Sequence, residues 1–155
     1  MPPKVPIQLK FTIGGFNGEC HEVEWKHGKL WYRRADGAYL WEPSVAVSPS
    51  EDEWAKFWRA METAGVWQWQ ANYDAPICDG IQWSLKLKNL ERQVRCEGSN
   101  AYPGSPGPDY SPTGEFAHFL NALRSLTSQL NPQNPGDKPA EKSLMRLPVT
   151  RKDKP

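Results

Sequence analysis

A chain of 155 residues is about one domain's worth of polypeptide and can bury roughly two thirds of the surface that it exposes when unfolded. Its 8 Trp, 5 Tyr and 5 Phe supply large apolar areas for a core, while 15 Pro and 12 Gly mark many turns and some chain that does not fold. The net charge is +1, with 13 basic and 15 acidic side chains in residues 1–130 and 6 and 3 in residues 131–155, which is no field strong enough to imply nucleic acid or an anionic membrane. Cys20, Cys78 and Cys96 are odd in number and form no CxxC pair, so reduced thiols in a cytoplasm are the simplest expectation. No apolar run approaches membrane-spanning length, and the N-terminus lacks the apolar stretch of a signal peptide.

The first third predicts an antiparallel meander. Apolar residues occupy every second position from Ile7 to Ile13, the period of a half-buried strand, until Gly14-Gly15 breaks it. From His21 to Lys26, Val23 and Trp25 share one face and Glu22 and Glu24 the other. His27-Gly28 turns the chain into Leu30-Trp31-Tyr32-Arg33, and Asp36-Gly37 turns it again into Tyr39-Leu40-Trp41. Next, Ser48-Pro49-Ser50-Glu51 predicts a helix start, with serine as cap, proline in the first helical position and glutamate in the third. Trp54, Phe57, Trp58 and Met61 form one stripe of that helix, and Gly65 stops it.

A second β section is expected from Val66, where Trp67 and Trp69 alternate with Gln68 and Gln70. Asp79-Gly80 precedes the cleanest strand, with Ile81, Trp83, Leu85 and Leu87 on one face, and a turn near Asn89 leads to Val94 and Cys96. Residues 98–114, rich in Gly, Pro, Ser and Asn, read as loop. A last helix over residues 112–130 buries Phe116, Phe119, Leu120, Leu123, Leu126 and Leu130. The expected architecture is an α+β domain over residues 1–130, an antiparallel sheet made of the N-terminal meander and a second hairpin, with two helices packed on one face. Residues 131–155, with five prolines and little apolar content, are expected to be a disordered, weakly basic tail.

Phe57-Trp58, Ala64-Gly65-Val66-Trp67-Gln68-Trp69, Tyr73, Asp79-Gly80-Ile81-Gln82-Trp83 and Gly98-Ser99-Asn100-Ala101-Tyr102-Pro103, followed by a Phe/Leu helix, resemble an uncharacterised family of small bacterial proteins. The resemblance spans roughly residues 50–130. It implies a bacterial or phage source and no particular chemistry.

Each candidate site has a plainer structural alternative. Asn100 and Tyr102 would line a cleft if the loop over residues 98–103 binds something; the favoured structural reading makes Asn100 a turn residue and Tyr102 a plug at the core edge, and allows a cis bond before Pro103. Asp79 is an active-site carboxylate or, more simply, hairpin punctuation. Trp67, Trp69 and Trp83 would form an exposed platform for sugars, bases or a peptide, although alternation beside a helix more often means core. Cys20, His21 and His27 offer no fourth zinc ligand at a sensible spacing. Glu22 and Glu24, about 7 Å apart on a strand face, would suit a hydrolytic carboxylate pair, but a solvated face explains them with less. His118 is a boundary residue of the last helix. Leu147-Pro148-Val149-Thr150 is similar to a sortase sorting signal, but Arg151 replaces the required glycine.

No P-loop, GxGxxG, HExxH or GxSxG pattern is present. The expectation is therefore a non-enzymatic protein-interaction module that binds through an aromatic-rich face. It calls for no cofactor, metal or membrane, and another protein is a better partner than nucleic acid. The alternatives are a small hydrolase using Asp79 with the loop over residues 98–103, or a single-stranded nucleic-acid or sugar binder on exposed tryptophans.

Overall fold

The computed structural model describes residues 5–15, 19–36, 40–74, 81–103 and 114–127. Its strands are β1 (Gln8–Gly14), β2 (Glu19–Lys26), β3 (Lys29–Asp36), β4 (Val45–Val47), β5 (Asn72–Asp74), β6 (Gln82–Lys88) and β7 (Gln93–Ser99), and its helices are α1 (Glu51–Ala64) and α2 (Glu115–Thr127). The strands make one sheet in the order β4-β3-β2-β1-β6-β7-β5. Every pairing is antiparallel except β5 with β7, which is parallel.

The period-two pattern explains why the sheet has one dry face. Register sets Phe11 opposite Val23 and Leu85, and Val23 opposite Tyr32, so these side chains share a side. Both helices cover that side, as the α+β arrangement requires. Phe11 meets Phe119 edge-on at 5.1 Å, and Trp25 meets Trp54 edge-on at 5.4 Å. Alternate residues such as Lys10, Thr12, Glu22, Ser84 and Lys86 line the open face. The β2–β3 hairpin turns through His27 and Gly28, both at positive φ (54° and 74°), as a two-residue turn matched to strand twist requires.

Helix α1 starts two residues later than its sequence suggests. Ser50 is the cap, accepting from the Glu53 amide while the Glu53 carboxylate accepts from the Ser50 amide. This register places Glu51, Asp52 and Glu53 in the first turn, where the helix dipole favours negative charge, and leaves Pro49 outside. Trp54, Phe57, Trp58 and Met61 are buried as the stripe predicts, and Gly65 ends the helix in the left-handed region.

The strand expected from Val66 is not there. Residues Val66–Gln68 form a 3₁₀ turn that continues directly from α1, and the strand that follows is Asn72–Asp74. Two aromatic residues separated by one polar residue satisfy the strand period, but the turn lets Trp67 stack on Trp58, nine residues back on α1. Helix α2 buries Phe116, Phe119, Leu120, Leu123 and Leu126 as expected. Its predicted ends, Leu130, Cys78, Asp79, the Asp36-Gly37 turn beyond Asp36, and the tail over residues 131–155 lie outside the described residues. Among the described residues no helix is long and apolar enough to cross a membrane.

Candidate functional site

Of the six residues singled out in the sequence, the five that are described separate into an internal group and the half-buried Trp67. Trp83, 2% exposed, sits on the dry face of β6 between Tyr73 and Phe116, and Trp69, 7% exposed, packs edge-on against it at 6.1 Å. The Trp69 indole N–H donates to Glu115 Oε1 at 3.0 Å, which ties the chain after α1 to the start of α2. Neither ring is a platform for a ligand, because both faces are occupied by the core.

The loop over residues 98–103 is built around Trp83. Asn100 has φ 58° and closes the end of β6 twice: its amide donates to the Ile81 carbonyl at 2.8 Å, and its Oδ1 accepts from the Ile81 amide at 2.9 Å. The Trp83 indole N–H donates to the Ala101 carbonyl at 3.0 Å. Gly98 lies directly under that indole, and a Cβ there would collide with the ring and with the Ala101 carbonyl. Tyr102 is 2% exposed against Phe116, and burial pushes its hydroxyl up to about 12. Among the described residues no peptide bond is cis. Asn100 and Tyr102 thus hold the core edge, and Asp79 lies outside the described residues.

Trp67 is different. It is half-buried on the 3₁₀ turn, with one ring face stacked on Trp58 at 6.2 Å and an interplanar angle of 18°. The Arg92 guanidinium lies over the ring, 4.9 Å from its centroid, and also pairs with Glu62. Trp58, Trp67, Arg59 and Arg92, with Asn89 and Glu91, line a groove of about 180 Å³. The Trp58 indole N–H is buried and makes no hydrogen bond. Leu90, 82% exposed, stands beside the groove at the tip of the β6–β7 hairpin.

Two further features take their character from the tertiary structure. His21 is fully buried on the dry side at the end of β2, with Nδ1 2.9 Å from the Tyr32 hydroxyl and Nε2 3.3 Å from Glu19 Oε1 in a geometry that makes no hydrogen bond. Burial, and then the positive charge of Arg34, lower its pKa to about 3. Glu19 does not rescue the charged form because Arg34 already holds that carboxylate at 3.0 Å, alongside Asp36 at 2.6 Å and Glu42 at 2.9 Å. Cys20, the neighbour of His21, points to the opposite face, and His27 turns the far end of the strand, so the three do not converge. Glu22 is paired with Arg33 at 2.5 Å and Lys10 at 3.7 Å, and Glu24 with Lys26 at 3.7 Å.

The second feature is a polar depression of about 440 Å³ on the open face, where Thr12, Gly14, Ser84 and Ser99 keep the sheet surface low beside Trp41. Thr12 and Ser84 spend their hydroxyls on each other at 2.9 Å, and Arg33 covers the Trp41 ring at 4.2 Å. Among the described residues, the groove at Trp67 sets a half-buried aromatic ring beside an exposed apolar side chain, Leu90. No protein-family model matches the chain, and a search of curated proteins found no match.

Proposed function

We propose that the chain is a non-enzymatic protein-interaction module, working in the cytoplasm, whose aromatic-rich contact surface is the groove at Trp58 and Trp67. The observation that carries this reading is the half-buried Trp67 with Arg92 across its ring and exposed Leu90 alongside. Trp and Arg beside a small pocket are the residue types on which protein interfaces concentrate their binding energy. The buried, unpartnered indole N–H of Trp58 in the groove wall supports the same reading, since a partner's carbonyl would satisfy it. Buried Cys96, in no disulfide, suits a reducing compartment.

The test compares tagged full chain with Trp67→Ala in retention of partners from a host that expresses the protein. The expected result is a protein retained by the wild type and lost by about tenfold or more in the variant, with both chains equally folded by circular dichroism. Identical retention by the two chains refutes the reading.

A further inference from the structure

The sheet has an edge that the fold covers only in part. Hydrogen bonds from Asn100 N–H to the Ile81 carbonyl and from Asn89 N–H to the Arg92 carbonyl show that the even-numbered residues of β7 turn their backbone groups toward β6. The odd-numbered residues face the other way, and Glu97 N–H accordingly donates to the Ala71 carbonyl at 3.0 Å. Strand β5 pairs only with Glu97, Gly98 and Ser99. Gln93 and Arg95 therefore aim their N–H and C=O groups off the sheet, with no strand beside them among the described residues. At the opposite edge, β4 and the Ala35–Trp41 bridge cover β3 along much of its length.

Cations cluster around this half-edge, which no described strand pairs. Register puts Lys10 opposite Lys86 and Lys86 opposite Arg95, three cations in one row across the open face. Like charges in directly opposed positions destabilise a sheet. Among the described residues, Lys10 is the one member of this row with an ion pair, to Glu22 at 3.7 Å. Lys88 stands two residues along from Lys86, and Arg92, at the start of β7, leads into the groove at Trp67.

We propose that the half of β7 that no described strand pairs, residues 93–96, accepts an extended acidic segment of a partner protein as an added strand, with the groove at Trp67 taking a side chain at its end; this rests on reading that groove as an interaction surface. An added strand would pair with the Gln93 and Arg95 backbone groups and lay a carboxylate beside Arg95, with Lys86 one strand further in. The same charge argues against a second copy, because pairing two such edges would bring their arginines together. It also argues against the chain's own residues 131–155, which carry six cations and three carboxylates.

The test titrates the isotope-labelled full chain with a capped octapeptide of alternating glutamate and valine at millimolar concentration, read by amide shifts and amide exchange. The expected result is shifts at Gln93 and Arg95, exchange there slowed about tenfold or more, and no response to the lysine–valine octapeptide. Arg95→Pro, which removes an outward N–H without touching a bond to β6, abolishes the effect. Arg95→Glu, which leaves the backbone intact, weakens it by about tenfold and stands in if the proline variant does not fold. Absence of shifts at Gln93 and Arg95, an equal response to the lysine peptide, or self-association through β7 overturns the proposal. Binding of oligo-dT without slowed exchange would also overturn it, by assigning the cations to nucleic acid. A peptide that perturbs the Trp67 indole but not these two amides would refute strand addition and leave the aromatic groove standing. Slowed exchange unchanged by Trp67→Ala would do the reverse.

Discussion

Asn100 was expected either to line a cleft or to make a turn, and its geometry turns that choice into a measurable difference between substitutions. The residue occupies the left-handed region, where a side chain other than glycine, asparagine or aspartate costs roughly 1–2 kcal/mol. Its Oδ1 also accepts the Ile81 amide, and leaving a buried amide unpartnered costs about 1–3 kcal/mol. Ile81 is only half-buried, so water recovers part of that second amount. Asn100→Ala should therefore destabilise by about 2–3 kcal/mol, and Asn100→Gly, which relieves the backbone but not the lost acceptor, by about 1 kcal/mol. Asn100→Asp keeps both features and should stay within about 1 kcal/mol. Urea unfolding followed by tryptophan emission resolves these differences as midpoint shifts at constant slope. If alanine and glycine prove equally harmful, the left-handed backbone is not what the residue supports. If all three substitutions are neutral, the hydrogen bond to Ile81 carries no weight and the turn reading fails.

Gly98→Ala should destabilise by about 3 kcal/mol in the same assay, because the new methyl must displace the Trp83 ring and break its bond to Ala101; a cost below about 1 kcal/mol would mean that the ring moves freely. The folded state keeps His21 neutral down to about pH 3, whereas the unfolded chain protonates it near 6.5, so acid favours the unfolded state. Stability should accordingly fall below pH 6.5, by up to about 1.4 kcal/mol per pH unit, and His21→Gln should flatten the decline; an unchanged slope would refute the assignment. Burial raises the Cys20 thiol and pushes Cys96 up to about 12, so iodoacetamide at mildly alkaline pH should label neither in the native chain and both after unfolding, as read by peptide mass. Rapid native labelling of either would contradict its burial.

Local rules made much of this protein readable from its residues. Alternation along Ile7 to Ile13 and along Ile81 to Leu87 announced strands with one dry face, because a side chain's face depends only on its parity within the strand. The stripe of Trp54, Phe57, Trp58 and Met61 announced α1 for the equivalent helical reason. Parity and periodicity fail where an element is too short to show either. Strand β5 is three residues, held by parallel pairing to a strand distant in the chain, and nothing in Asn72-Tyr73-Asp74 signals it. Trp67 and Trp69 display a strand's alternation where the chain makes a 3₁₀ turn over Val66–Gln68 and leaves it at Trp69, since two residues cannot distinguish a period of two from a tight helix. Which tryptophans are core and which reach the surface was decided by packing: register sets Trp83 beside Ile13 under Phe116, while Trp67 has Trp58 on one side and Arg92 on the other. The row of Lys10, Lys86 and Arg95 and the bare edge beside it come from three separate stretches of chain brought together by strand order. Sequence alone thus determined the longer elements and their apolar faces, which depend on neighbours a few residues away, and tertiary structure decided the short elements and the surfaces, which depend on neighbours across the sheet.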